Sequence, residues 1–172
     1  MIKCAIISTK KSQIIKHLLV LIILISGGLY LAGCGESYYF EETQTIENGN
    51  WFYQDSVHFE VDIIDSTQLY ALLLDFNHAL EYKTQNLYIY INTELPDGKR
   101  LGKQLSLDLA APTGVWHGDC NKRNCDVSIN LQQKAYFNQP GKYKFTLKQY
   151  MRADPIKGIN SISLKIKELK TE

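Results

Sequence analysis

The sequence predicts an all-β protein, a single antiparallel β-sandwich of jelly-roll or Ig-like type carried behind an N-terminal lipoprotein signal peptide. Three observations predict it. Beyond residue 50 the apolar residues recur mostly with period two and seldom with period 3.6. Turn chemistry such as Pro96-Asp97-Gly98 and Gln139-Pro140-Gly141 separates the alternating runs. Residues 1–33 have a basic start, an apolar middle and a small-residue end, the pattern of a segment that is removed.

That first segment carries Lys3, Lys10, Lys11 and Lys16 and no acid, and its apolar run from Leu18 to Ile25 continues past Ser26-Gly27-Gly28 into Leu29-Tyr30-Leu31. A membrane-spanning helix needs about 20 apolar residues, and Gly27-Gly28 interrupts a run that is already shorter. Leu31-Ala32-Gly33-Cys34 reads as a lipobox, so the expected mature chain begins at Cys34, with that thiol bearing the lipid and acyl chains such as palmitate added there. Two or more chains make membrane attachment stable where one does not. The expected address is the cell envelope, at the outer membrane, and the residues after Cys34 do not specify a leaflet.

Residues 34–44 are expected to mix a lipidated tether with a possible first strand, because Tyr38-Tyr39-Phe40 is too apolar for a free linker, and residues 45–172 to form the sandwich. Val57, Phe59, Val61 and Ile63 alternate with His58, Glu60 and Asp62, giving a half-buried strand. The run from Leu69 to Phe76 is apolar on both faces, as suits a central strand. Leu87 to Thr93 is rich in aromatic and β-branched residues, and the turn at Pro96-Asp97-Gly98 should fold Leu101, Leu105, Leu107 and Leu109 back on it. Further strands are expected around Val127 to Leu131, Tyr143 to Gln149 and Ile162 to Ile166, with room for a short helix from Leu131 to Phe137.

Loss of the signal leaves 139 residues, enough for one domain with a real core. It also leaves 15 of the 19 basic residues against all 18 acidic ones, a formal net charge of −3. Nucleic acid is not an expected partner, since its binding rests on clustered Lys and Arg. No catalytic residue, metal site or cofactor is expected. His58 and His78 read as solvated surface residues, and the pairs Asp62 with Asp65 and Glu41 with Glu42 as solubilising charge.

The one dense local cluster is Trp116-His117-Gly118-Asp119-Cys120-Asn121-Lys122-Arg123-Asn124-Cys125-Asp126. Two thiols at this spacing outside the cytoplasm read first as a disulfide between Cys120 and Cys125, ahead of a zinc site that also uses His117 and Asp119. Lys122 and Arg123 at the loop tip, and Arg152 and Asp154 beside Pro155, are candidate partner contacts. The tyrosines and tryptophans read mainly as core and cross-strand pairs, with a sugar-binding face as the competing assignment for Tyr38, Tyr39, Trp51, Tyr53, Tyr82, Tyr88, Tyr90 and Trp116.

The lipobox at Cys34, Trp51 and Asp55, Leu95-Pro96-Asp97-Gly98, Trp116-His117-Gly118-Asp119, Pro140-Gly141-Lys142-Tyr143 and the tail Met151-Arg152-Ala153-Asp154-Pro155-Ile156-Lys157-Gly158-Ile159 together resemble the gliding motility lipoprotein GldH family of Bacteroidetes. The chain departs from that pattern after Trp116, where a cysteine pair stands in place of a Gly-rich loop. The resemblance implies a non-enzymatic envelope accessory of gliding and of the associated type IX secretion machinery, working through envelope proteins. A lipid-anchored carbohydrate-binding module for glycan capture is the alternative.

Overall fold

The computed structural model describes residues 37–170; the signal segment 1–33 and Cys34 lie outside them. Eleven strands follow in order: β1 (Phe40–Thr45), β2 (Asn50–Trp51), β3 (Val57–Ile63), β4 (Leu69–Ala79), β5 (Asn86–Glu94), β6 (Arg100–Asp108), β7 (Asp119–Cys120), β8 (Asn124–Ala135), β9 (Gly141–Gln149), β10 (Ile156–Lys157) and β11 (Ile159–Leu169). A single 3-10 turn, Glu47–Gly49, is the one helical piece among the described residues. One sheet has the order β1-β11-β4-β8-β7 and the other β3-β9-β5-β6, with β2 and β10 forming a small ribbon; every strand pair is antiparallel. The two sheets share one apolar core, so the fold is a β-sandwich.

Strand β3 shows how sequence makes this layer. Val57, Phe59, Val61 and Ile63 are buried and the residues between them exposed. Register sets Val57 against Leu147, Phe59 against Phe145 and Val61 against Tyr143 of β9, so the buried rows of both strands coincide. A one-residue slip would turn both rows out to water, and this fixes the pairing. The opposite face is polar. Glu60 reaches Lys142 Nζ at 3.2 Å and Lys144 Nζ at 3.0 Å, and the Lys144 bond leads in holding its carboxyl below the ordinary range.

The sheets are bridged by rings. Tyr70 of β4 meets Phe137 edge-on, with centroids 5.2 Å apart, and Phe137 meets Tyr143 of β9 at 4.7 Å. Edge-to-face pairs add directional attraction to area burial, about 0.5–1.5 kcal/mol each. The Tyr70 hydroxyl donates to the Asp65 carbonyl at 2.8 Å, and burial pushes its pKa up to about 12. At the other end Trp51 is wholly buried, its indole N–H donating to the Asp55 carbonyl at 2.7 Å.

Two expectations are corrected. The stretch from Leu131 to Phe137 is not helical: β8 continues as a strand to Ala135 and pairs with β4 from Tyr70 to Ala79. Register shifts between Tyr70 and Leu72, and again between Leu72 and Leu73, break the alternation there, and a bulged strand reads as irregular in sequence. His78 is not a solvated turn residue. It lies in β4, fully buried, opposite both Ile159 of β11 and Cys125 of β8, with Trp116 at 4.6 Å and Tyr82 at 5.8 Å between ring centroids. Flanking strands on both sides extend β4 past the point where Asn77 and His78 suggest a turn.

On the outer face of the larger sheet, Lys165 of β11 pairs with Asp75 of β4 at 2.7 Å and Glu41 of β1 at 3.1 Å, tying three strands together. Both members of the first pair are largely shielded; Lys165 meets Asp75 Oδ2, and the buried Oδ1 has no hydrogen-bond partner among the described residues. The hydrogen bond to Asp75 is the leading cause that raises the Lys165 pKa above its ordinary 10.5. Because the folded-state value is raised, the contribution is complete at neutral pH and fades only as pH climbs through the alkaline range above that ordinary value. Lys165→Met should therefore lower the unfolding free energy by roughly 1–3 kcal/mol, since Asp75 loses its counter-ion. Glu60→Gln should leave stability nearly unchanged, because its ion pairs are exposed. Urea unfolding of both variants at pH 7 checks the contrast.

Candidate docking cleft

Alternation in β5 sends Leu87 and Ile89 into the core and leaves Tyr88 and Tyr90 on the outer face, 37% and 41% exposed. Tyr90 lies over Gly102 of β6, where any β-carbon would strike its phenol ring, so glycine at 102 makes space for the tyrosine. The antiparallel register continues past β9, where the Tyr150 amide donates to the Tyr88 carbonyl at 2.8 Å. Two exposed tyrosines thus stand side by side at one end of the smaller sheet.

The segment after Tyr150 builds the adjoining wall, and Gln149, 2% exposed, organises it from inside. Its carbonyl oxygen accepts from the Met151 amide at 2.8 Å and its amide nitrogen donates to the Ala153 carbonyl at 3.2 Å. Buried polar groups are stable only when bonded, and here the bonds fold the loop back on the strand end. Asp154 accepts from the Tyr53 amide at 2.8 Å, and the Tyr53 hydroxyl donates to the Met151 carbonyl at 2.5 Å. The Asp154–Pro155 peptide is cis, and β10 then pairs Ile156 with Trp51 of β2. The opposite wall is residues 81–84, with Tyr82 held against Trp116 and His78.

Between these walls lies an open cleft of about 1050 Å³. Tyr53, Tyr82, Tyr88 and Tyr150 give it an aromatic lining, and Lys83, Arg152, Lys157 and Glu81 carry its charges. None of those three cations enters an ion pair among the described residues. The lining holds no nucleophile paired with a base. His58 sits elsewhere, on the outer face of β3, 3.1 Å from the Thr146 hydroxyl.

The residues singled out from sequence fall in two places. Lys122 and Arg123 form the tip of the β7–β8 hairpin, where Asn121 Oδ1 accepts from the amides of Arg123 and Asn124 at 2.8 and 2.9 Å. Cys120 and Cys125 stand opposite each other at its base, with Cα atoms 4.0 Å apart and their sulfurs bonded. Among the described residues no three His, Cys, Asp or Glu side chains converge on a metal-sized site. Arg152 is at the cleft rim, whereas Asp154 is engaged in holding the loop to Tyr53. Sequence reasoning missed Lys83, Gln104, Tyr150 and Lys157 as members of one site. The available signal was the outward parity of Tyr88 and Tyr90 against the inward Leu87 and Ile89.

Comparison with known proteins covers most of the chain. The chain is 25% identical over 147 residues to a gliding motility lipoprotein GldH homolog of Christiangramia forsetii, an alignment covering 81% of this chain and 90% of the relative. It is also 25% identical over 154 residues to the gliding motility lipoprotein GldH of Flavobacterium johnsoniae, covering 85% and 94%. Among solved structures, Xyl-CBM35 in complex with a glucuronic acid containing disaccharide overlaps with a TM-score of 0.37 at 15% identity, covering 81% of this chain and 86% of that one. TmCBM61 in complex with β-1,4-galactotriose overlaps with a TM-score of 0.33 at 8% identity, covering 78% and 91%. Those overlaps are too loose to bear on ligand or mechanism. The GldH lipoprotein family model spans residues 38–166, from just before β1 into β11, and the chain belongs to that family.

Proposed function

We propose that the protein is a non-enzymatic lipoprotein held at the outer membrane through Cys34, an accessory of gliding motility and of the associated type IX secretion machinery that acts by binding other envelope proteins. Membership in the gliding motility lipoprotein family is the observation that carries this reading. The fold supports it from another side. Strand alternation commits one face of each sheet to the core, which leaves outer faces, sheet edges and loops for recognition. The polar groups nearest the cleft are spent on shaping a loop rather than arranged as nucleophile, base and orienter.

The anchor and the cysteine pair are checked separately. Cys34→Ala should abolish palmitate labelling and leave an uncleaved or soluble protein; continued labelling with full membrane retention would refute anchoring at Cys34. Intact mass of the non-reduced mature protein should show two hydrogens fewer than the dithiol form, confined to the peptide with Cys120 and Cys125. Two free thiols with one bound zinc ion would replace the disulfide by a metal site.

Function is tested by deletion and purification together. Loss of the gene should impair gliding, or secretion of type IX cargo in a host that does not glide, and the lipidated protein should copurify with that machinery. Normal motility and secretion, combined with tight binding of a purified glycan by the mature protein, would favour glycan capture instead.

A further inference from the structure

Strand β6 is the outer strand of its sheet: it pairs with β5, and among the described residues no strand meets its other side. It is nine residues long and exposed along most of its length. An unpaired strand edge offers a row of backbone donors and acceptors to any extended chain, and natural proteins usually blunt such an edge with charge. Here the one lysine on that edge is Lys103, exposed and in the row of Leu105 and Leu107, while Gln104 and Ser106 share the outward row with Tyr90 and Tyr88. The cleft reaches this same strand through Gln104.

The cleft and the edge ask for the same occupant. Lys83, Arg152 and Lys157 face Glu81 as the one acid at the rim, and all three cations are free of ion pairs. The Tyr53 hydroxyl and the Tyr88 amide are already bonded to Met151, so the floor offers ring faces more than donors. Its volume, about 1050 Å³, lies just above the usual small-ligand range of about 300–1,000 Å³. Among the described ring contacts none joins Tyr53, Tyr88 and Tyr150 to one another, so their ring faces stand separately in the cleft. A glycan leaves the bare backbone row of β6 without matching partners.

Building on the protein-binding reading above, we infer that β6 and the tyrosine cleft form one docking site for an extended acidic segment of an envelope protein. The segment adds a strand to β6, and the chain that continues from that strand crosses the outer face into the cleft, where it sets an aromatic or large apolar side chain against Tyr88 and Tyr150 and turns carboxylates toward Lys83, Arg152 and Lys157. Strand addition supplies main-chain hydrogen bonds, and the pocket supplies selectivity.

The test uses the mature lipidated protein in detergent and a fluorescein-labelled nonapeptide with glutamate at the odd positions, threonine at the even ones and tryptophan replacing the glutamate nearest one end, so that ring and carboxylates share one face. The peptide should bind, bind less at high salt, and protect the amides of residues 101–106 from hydrogen exchange. Replacing its glutamates by lysine should weaken binding at least about tenfold, and so should Tyr150→Ala combined with Arg152→Glu in the protein. Tyr150 is 57% exposed and Arg152 lies on the surface, so the double variant should fold. No binding, binding indifferent to the peptide's charge or to the double variant, or displacement by oligogalacturonate at lower concentration than the peptide itself would each overturn the inference. Undiminished copurification of the double variant with the secretion machinery would also overturn it while leaving the proposed function standing; failure of the unaltered protein to copurify would instead strike the proposed function.

Discussion

Everything in this domain depends on the two sheets closing over each other with their alternating apolar rows in register. Phe59 against Phe145 aligns the inner rows of β3 and β9 within one sheet, and the chain of rings from Tyr70 through Phe137 to Tyr143 joins that sheet to the other. Burial of a large apolar side chain contributes roughly 1.5–3 kcal/mol, and a one-residue slip would forfeit that for a whole strand at once. This rigidity has a functional corollary. Since the inner rows are taken, recognition is displaced to outer faces and ends, and the outer face of β5 is where the sequence places exposed tyrosines.

The tail loop is the second dependent feature. Gln149 is the last residue of β9 and points inward like Tyr143, Phe145 and Leu147 before it, yet it is polar. Its position follows from strand parity, and its polarity is satisfied by Met151 and Ala153 of the segment that follows. A leucine there would keep the burial and lose the bonds that fold the loop beside Tyr88. Asp154, joined to Tyr53, and β10, paired with β2, fasten the far end of the same loop near the buried Trp51. Trp51 and the Met151–Asp154 run are distant in sequence, and they belong to one structural unit at the cleft wall.

Much of the fold was legible in the sequence because a half-buried strand writes its period directly. The strands at 57–63 and 141–149 follow their alternation almost residue for residue, and the hairpin at Pro96-Asp97-Gly98 closes as its residues require, with Gly98 at φ 81°. What stayed hidden has physical reasons. Bulges blur the second half of β8, and His78 is polar in a strand whose length is set by its neighbours β11 and β8 rather than by its own composition. The cleft was illegible as a unit because residues 53, 81–84, 88, 104 and 150–157 meet only through long-range pairing. The tail from Met151 to Ile159 is one of the motifs that carry the family resemblance, but its reason, a loop wrapped on Gln149 beside two exposed tyrosines, needed the structure.

The central claim, that this envelope protein works through its tyrosine-lined outer face, is tested most directly by photocrosslinking in living cells. p-Benzoylphenylalanine placed at Tyr88 or at Lys122 of the full-length lipoprotein separates the cleft from the hairpin tip, the other candidate contact. The account predicts that Tyr88, but not Lys122, captures a component of the motility or secretion machinery, through an extended acidic segment identified by mass spectrometry. Capture from Lys122 alone, or crosslinks from Tyr88 that carry glycan and no protein, would contradict it.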